Sequence, residues 1–333
     1  MALVEPYQMS IFESEFRDNK FPKTQYLGSK EHLVRWIFNH SPNNITTFLD
    51  AFSGTSVVSY YFKSKNKQVI TNDFLKFNYH IGKSLIENKN IKLEAKDLEL
   101  LLSENKNSET FIEDVFSGIF FERDQARFLD NFRANVNLLD NEYKISLAFA
   151  IMNRALTRKV LLGHFAHLSA LRYSKDPNRV KRNPTIARPL KDLFLELVPE
   201  YNNAIFDNGY ENTAFCEDAI VLISKLDNID LVYFDPPYRP ISKTASFKAY
   251  HKQNFTDSEQ LQLAQLFKQL DSEGSYVMLS NSDPKNIDPD DNFFDDMYNG
   301  FNIVRVPARR MINSDPTKRG RINEIVVTNY TTT

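Results

Sequence analysis

A single cysteine, Cys216, in 333 residues excludes an internal disulfide and a thiolate metal cluster, and it points to a reducing cytoplasm. Long apolar runs are missing as well: none approaches the roughly 20 residues that a membrane span needs. The first twenty residues carry Glu5, Glu13, Glu15 and Asp18 without an apolar core, so a secretory signal is not expected there. Internal repeats are absent, and the only low-complexity tract is the run of threonines at the end. Glycine is sparse at nine residues, and neither the three spaced glycines of a dinucleotide fingerprint nor the Gly-Lys-Ser/Thr of a phosphate loop occurs. Net charge is small too, −2, but the signs are segregated along the chain, so the overall balance says little about partners. What remains is an ordinary globular composition, 42% apolar and 25% charged, in a 38.7 kDa chain able to form one large domain or one domain carrying an insertion.

The most informative stretch is Leu231-Val232-Tyr233-Phe234-Asp235-Pro236-Pro237-Tyr238. Four apolar residues, β-branched and aromatic among them, read as a fully buried strand. Two prolines forbid helix and further ladder pairing, so Asp235 falls at the carboxyl end of that strand, where open α/β sheets bind ligands. A carboxylate, a proline carbonyl of fixed direction and a phenol ring suit the holding of a flat ring bearing an amino group. The structural alternative is an ordinary loop after a buried strand. A second unit of strand, small-residue turn and helix spans residues 45–62 and contains Asp50-Ala51-Phe52-Ser53-Gly54-Thr55. Lys67 to Asp73 follows as a strand ending in an acid, about twenty residues past the turn, where nucleoside sites place a ribose-binding carboxylate. The pair fits a nucleoside-type cofactor without a demanding phosphate, although any βαβ unit can end its second strand in Asp. Upstream, Lys23 to Lys30 leads into an apolar helical pattern from Leu33 to Phe38, with Ser29 as the expected cap and anion-attracting helix start.

Residues 75–210 read as mostly helical, with apolar periodicity over 98–102, 111–121, 126–139 and 145–162. This excess length between Asp50 and Asp235 predicts an inserted helical subdomain. From Met152 to Asp192 it holds ten basic residues (Arg154, Arg158, Lys159, Arg172, Lys175, Arg179, Lys181, Arg182, Arg188 and Lys191) against Asp176 and Asp192. Aromatic and amide side chains are interleaved, with Asn178, Asn183 and Pro184 in an expected irregular loop. Such a stretch is what a nucleic-acid surface requires, and a solvated helix face is the plainer alternative. Past Tyr238, the polar, basic residues 239–252, Lys243 among them, are expected to form a loop over the pocket that orders on substrate. Thr256 to Glu259 opens a helix with a capping signature. Tyr276 to Asp283 reads as another buried strand, 283–296 as an acidic surface excursion, Arg305 to Arg321 as a basic region, and Asn323 to Tyr330 as a closing strand.

Taken together, Tyr26-Leu27-Gly28-Ser29-Lys30, Asp50 to Thr55, Asn72-Asp73, Asp235 to Tyr238, Leu279 to Asp283 and Arg319 to Glu324 resemble, in that order, the Dam-like class of DNA adenine-N6 methyltransferases. Two departures stand out: Asp50-Ala51 replaces the acid-proline pair common in that class, and the turn holds a single glycine, Gly54. The resemblance implies a Rossmann-like class I methyltransferase sheet, α/β, seven-stranded and mostly parallel, formed by residues 1–74 and 211–333. A helical target-recognition domain over 75–210 would be inserted into it. It implies S-adenosylmethionine as cofactor, leaving as S-adenosylhomocysteine, with no metal. The expected catalytic residues are Asp235, Pro236 and Tyr238, and the expected cofactor contacts are Tyr26, Lys30, Asp50, Phe52, Ser53, Gly54, Asp73 and Asp218. Expected DNA contacts are Arg154, Arg158, Lys159, Arg172, Lys175, Arg179, Lys181, Arg182 and Lys243. The partner would be double-stranded DNA whose target base is flipped out, with a cognate restriction endonuclease as a further expected partner. A monomer or weak dimer, in a bacterial or phage cytoplasm and associated with the nucleoid, completes the expectation. A catalytic cysteine in a Pro-Cys setting is missing, which argues against ring-carbon methylation of cytosine. The competing readings are cytosine N4 or RNA adenine methylation through the same tetrapeptide, a non-catalytic DNA-binding protein on this scaffold, and a nicotinamide enzyme, which the missing glycine fingerprint disfavours.

Overall fold

The computed structural model describes residues 21–23, 29–160, 170–239, 255–309 and 321–332. They fall into two compact units: residues 30–75 with 209–333, and residues 76–208 with the described residues up to Ser29. Tyr26 and Lys243 lie outside the described residues, as does most of the expected loop over 239–252.

The first unit is built on a seven-stranded sheet of order β3-β2-β1-β4-β5-β7-β6. Its strands are β1 Thr47–Asp50, β2 Gln68–Asn72, β3 Thr213–Phe215, β4 Leu231–Phe234, β5 Tyr276–Ser282, β6 Asn302–Arg309 and β7 Arg321–Thr328. The first five pair in parallel, and β7 runs antiparallel between β5 and β6. The central strands are apolar on both faces because both are covered. Leu49, Val232 and Phe234 pack into one core cluster with Leu263, Phe267 and Leu279. Phe48, whose side chain alternates to the other face, stacks on Phe62 of the helix Val57–Ser64, buried from Val57 to Lys63, at a centroid distance of 3.6 Å. Chain direction sets the site. The chain runs outward from β1 to β2 and β3, then returns to the opposite side of β1 as β4, so the strand order reverses between β1 and β4. That switch point, at the carboxyl ends, is where such sheets bind ligands. In register, Asp50 faces Tyr233, one residue before the end of β4.

Several sequence expectations need correction. The helix after Ser29 is Val34–Asn39, with Leu33 at its N-cap position and no side-chain cap, so Ser29 does not cap it. The residues between are taken by a turn, in which Leu33 N donates to Lys30 O at 2.8 Å. The basic region after Arg305 contains an unforeseen strand, β6, whose Pro307 is tolerated because β6 pairs only with β7 and stands at the sheet edge. The acidic 283–296 stretch is not a mere excursion: Asp283 is 1% exposed and ion-paired to Arg305, and Phe294 of the short helix Phe293–Met297 belongs to the core.

The second unit is helical. Helices Ala95–Leu102, Arg123–Val136, Glu142–Lys159 and Leu190–Ala204 bury Leu101, Phe132, Leu147, Ile151, Leu193 and Phe194. The expected helix over 111–121 ends at Phe116, and Gly118 takes a left-handed φ of 76° that an α-helix does not accommodate. The expected loop around Asn178 is instead a helix, Pro177–Arg182, started by Asp176, whose carboxylate accepts from Asn178 N at 2.9 Å, with proline in its first turn.

Candidate active site

At the end of β4 the apolar strand gives way to Asp235, and both of its carboxylate oxygens accept hydrogen bonds from Lys30 Nζ, at 2.7 and 2.8 Å. Lys30 comes from 205 positions earlier in the chain and is 4% exposed. Its ammonium also lies 4.0 Å from Glu324 of β7 and 4.7 Å from the centroid of the Tyr238 ring. Tyr238 in turn donates its phenol hydrogen to Glu324 Oε2 at 2.7 Å. One cation, two carboxylates and one phenol are thus closed into a ring of contacts at the mouth of the switch point.

Burial pushes the Asp235 carboxyl up to about 6, with Lys30 pulling it down and Glu324 pushing it further up. For Lys30, burial works against the charge, but Asp235 and then Glu324 outweigh it and hold the ammonium above the ordinary lysine range. Burial, reinforced by the negative charges of Asp235 and Glu324, pushes the Tyr238 phenol well up, so it stays neutral. Near neutral pH the site therefore presents an ionised carboxylate beside a neutral aromatic ring. That combination accepts hydrogen bonds from an amine and stacks on a flat base.

The turn after β1 supplies the second half. Asp50 is 1% exposed, its Oδ2 accepts from Ser59 Oγ at 2.7 Å, and its Oδ1 is buried with no hydrogen-bond partner among the described residues. Burial raises this carboxyl to about 7, against the Ser59 hydrogen bond and with help from the charge of Asp235. Gly54 and Ser56 take left-handed φ values of 51° and 59°, which turn the backbone sharply into the helix Val57–Ser64. Asp73 fixes that turn: its Oδ2 accepts from Gly54 N at 2.9 Å and its Oδ1 from Leu75 N at 2.8 Å. Ser53 is tied to β2 by its N–H to Asn72 O at 2.8 Å. Phe52 turns away into the core edge, its ring 6.3 Å from that of Phe234 and 6.0 Å from that of Phe255. Next to Asp73, Phe74 leaves its ring 62% exposed. Asp218 is exposed and spends Oδ1 capping the helix Ala219–Ile223, accepting from Ile220 N and Val221 N at 2.9 and 3.2 Å, while Glu217 pairs with Lys225. An orphaned carboxylate oxygen, a glycine turn and an open aromatic ring are an acceptor-rich set that fits a nucleoside bearing hydroxyl and amino groups.

The basic segment of the helical unit divides sharply by environment. Lys159 is buried, its Nζ donating to the carbonyls of Ile186 and Arg188 at 3.2 and 2.7 Å, and burial lowers its pKa. It ties the helix Glu142–Lys159 to the turn at 184–187, so its expected role as a DNA contact is corrected to a structural one. Arg158 pairs with Glu196 at 2.9 Å, and Arg188 meets the same carboxylate. Arg154 is half-buried. Lys175 pairs with Glu122 at 2.7 Å and Arg179 with Asp176 at 3.7 Å, both at the surface, and Arg182 bonds the carbonyl of Asn178 at 3.2 Å. Arg172, Lys175, Lys181 and Arg182 are exposed.

Glu324 joins the site although it is not among the expected site residues, and it lies at the end of the Arg319 to Glu324 stretch. No local pattern connects it to Tyr238, 86 positions away.

A seven-stranded sheet of this order, with an acid-proline-proline-aromatic turn after β4 and an acidic glycine turn after β1, defines a class I methyltransferase. The profile of the D12 class N6 adenine-specific DNA methyltransferase family matches residues 26–312, and the chain belongs to that family. It is 36% identical over 228 residues to the Type II methyltransferase M2.HphI of Haemophilus parahaemolyticus, covering 66% of each chain. It is 30% identical over 326 residues to the Type II methyltransferase M.MjaIII of Methanocaldococcus jannaschii, covering 93% of this chain and 99% of that one. With the DNA adenine methylase of Escherichia coli (strain K12) it shares 27% identity over 206 residues, 62% of this chain and 66% of the relative. The protein is thus an adenine-specific DNA methyltransferase, and methyltransferases of this family use S-adenosylmethionine. Among the described residues no helix is long and apolar enough to cross a membrane.

Proposed function

We propose that the sheet unit carries out methyl transfer to the N6 amine of a flipped-out adenine, that the helical unit reads the DNA, and that the enzyme is the modification arm of a Type II restriction system with a cognate endonuclease. The last element is supported by the Type II names of M2.HphI and M.MjaIII. The observation that carries the reading is the joining of Lys30, Asp235, Tyr238 and Glu324 at the switch point of the sheet.

Adenine N6 is a weak nucleophile because its lone pair is delocalised into the ring. Asp235 and the carbonyl of Pro236 each accept one hydrogen of the amine, which draws the nitrogen toward tetrahedral geometry and stabilises the positive charge that develops on it. Each oxygen of Asp235 has a second lone-pair direction, so Lys30 and the amine can share the carboxylate. Its pKa of about 6 leaves it ionised at neutral pH and able to take the proton that the methylated nitrogen must lose. Tyr238 supplies the face on which the extruded ring stacks, and extrusion is required because the target atom lies inside the duplex. S-adenosylmethionine, when bound, supplies an electrophilic methyl group on a sulfonium centre. Asp50, Ser53, Gly54 and Asp73 with the ring of Phe74 are the residues that would hold it; Phe52 and Asp218 support that site through packing and helix capping.

Incubation with unmethylated genomic DNA and a labelled methyl donor, then digestion to nucleosides and mass analysis, tests the reading. N6-methyladenosine in its deoxy form is expected from the parent and none from Asp235→Asn, with cofactor affinity retained. N4-methylcytosine as the product, or labelled RNA with unlabelled DNA, would replace the proposal by one of its rivals.

A further inference from the structure

Two side chains that the methyl-transfer scheme leaves unused are among the most buried amides of the sheet unit. Gln260, on the helix Asp257–Ser272, and Asn281, on β5, are both 0% exposed. They bond to each other, Asn281 Nδ2 donating to Gln260 Oε1 at 3.2 Å. The groups left over point at the backbone on either side of Tyr238. Gln260 Nε2 donates to the carbonyl of Pro237 at 3.2 Å, and Asn281 Oδ1 accepts from Arg239 N at 3.3 Å as well as from Ser282 N at 2.9 Å. Ser282 Oγ adds a bond to the carbonyl of Arg239 at 3.2 Å. The Arg239 side chain is itself clamped between Asp257 and Asp291, at 3.0 and 2.8 Å, with its guanidinium carbon 4.0 Å over the ring of Phe293.

Apolar side chains of the same size would fill this space without the desolvation penalty of two amides. What the amides add is direction, and they are directed at the peptide groups that set where the Tyr238 ring lies. Glu324 completes the arrangement by holding the far end of the same side chain through the phenol.

We infer that Gln260, Asn281 and Glu324 are positioning residues that brace Tyr238 from both flanking peptides and from its hydroxyl, so that the stacking face is preset before the base arrives. The inference rests on the reading of Tyr238 as the stacking ring. A preset ring matters because displacement of a reacting group by about 1 Å can cost on the order of a hundredfold in rate.

The test uses Gln260→Met, Glu324→Leu, Tyr238→Phe, the double variant Glu324→Leu with Tyr238→Phe, and Tyr238→Ala. All are assayed at pH 8, where Asp235 is ionised, on a duplex carrying the methylated site found by sequencing a plasmid from cells that express the enzyme. The readouts are methylation rate, cofactor affinity, and the emission of 2-aminopurine placed at the target position. Gln260→Met is expected to lose between about tenfold and about a hundredfold in rate. Its cofactor affinity stays within about twofold, as a folded cofactor site requires, and its emission rises because the extruded base is no longer quenched by a fixed ring. The double variant is expected to lose no more than the worse of its two single variants, since both remove the same bond. Parent-like rate and emission in Gln260→Met, or additive losses in the double variant, would overturn the brace. If Tyr238→Ala also kept parent-like rate and emission, the stacking reading would fall first; impairment there with an intact Gln260→Met removes the brace alone.

Discussion

Removing the cation from the Asp235 carboxylate should move the enzyme's acid limb. With Asp235 at about 6, and activity requiring its ionised form, the rate should fall about tenfold for each pH unit below 6, far above the 3.8 of an ordinary aspartate. Burial raises that carboxyl, and Lys30, at 2.7 to 2.8 Å, is the group that restrains it. An opposite charge in contact lowers a carboxylate by roughly 1–3 pH units. Lys30→Met should therefore carry the limb upward by about that much, at about 1.4 kcal/mol for each unit. The turnover rate at pH 7 then drops between about twofold and about a hundredfold while the alkaline plateau keeps its height. Lys30→Arg, which preserves the charge, should return the limb most of the way. The assay is the pH profile of the single-turnover rate at saturating DNA and S-adenosylmethionine, so that any loss of cofactor affinity is removed. A limb that stays near pH 6 in Lys30→Met would show that Lys30 does not set the charge of Asp235, and the electrostatic account of the site would be wrong.

Glu324→Gln should shift the same limb the other way, to lower pH, because Glu324 raises Asp235; an upward shift in that profile refutes the assignment. Asp50 makes a stability prediction. Its folded pKa of about 7 lies above the ordinary 3.8, so the favourable contribution is complete below about pH 4 and is lost as pH climbs through 7. Asp50→Asn should therefore gain stability over the parent at pH 8, by an amount on the order of 4 kcal/mol at most, and show little difference near pH 4 in urea unfolding. Arg172→Ala and Arg182→Ala should each weaken DNA binding and reduce the slope of affinity against salt by about one. Lys159→Met should leave that slope unchanged and lower the unfolding midpoint instead. An altered salt slope would put Lys159 back at the DNA surface.

The catalytic turn was legible because four apolar residues and two prolines leave Asp235 only one place to stand, and the acidic glycine turn because Asp50, Gly54 and Asp73 are close in sequence. The partners of Asp235 were not legible in the same way. Glu324 is brought in by the place of β7 beside β5 and Lys30 by the turn ahead of the helix Val34–Asn39, from opposite ends of the chain, and no spacing rule connects them to Tyr238. Lys30 is expected as a cofactor contact through the family resemblance alone, whereas in the structure its ammonium is engaged by Asp235. The basic run showed charge but not depth, so Lys159, buried under two carbonyls, was counted with the exposed Arg172 and Lys181. β6 was unreadable because Pro307 and the arginines around it look like a loop, and only the edge position makes them acceptable in a strand.

The placement of the helical unit between β2 and β3 has a consequence for biosynthesis. β1 finds β4 only after a long wait, since the register partners Phe48 and Leu231 are about 183 positions apart in the chain. On a ribosome adding roughly 5–20 residues each second, the open flank of β1 stays unpaired for about ten seconds or more while the helices emerge and pack by local contacts. During that interval the nascent chain carries a naked, apolar strand edge, the template on which misassembly starts. Slower elongation through the helical unit should lengthen this exposure and lower the yield of soluble enzyme.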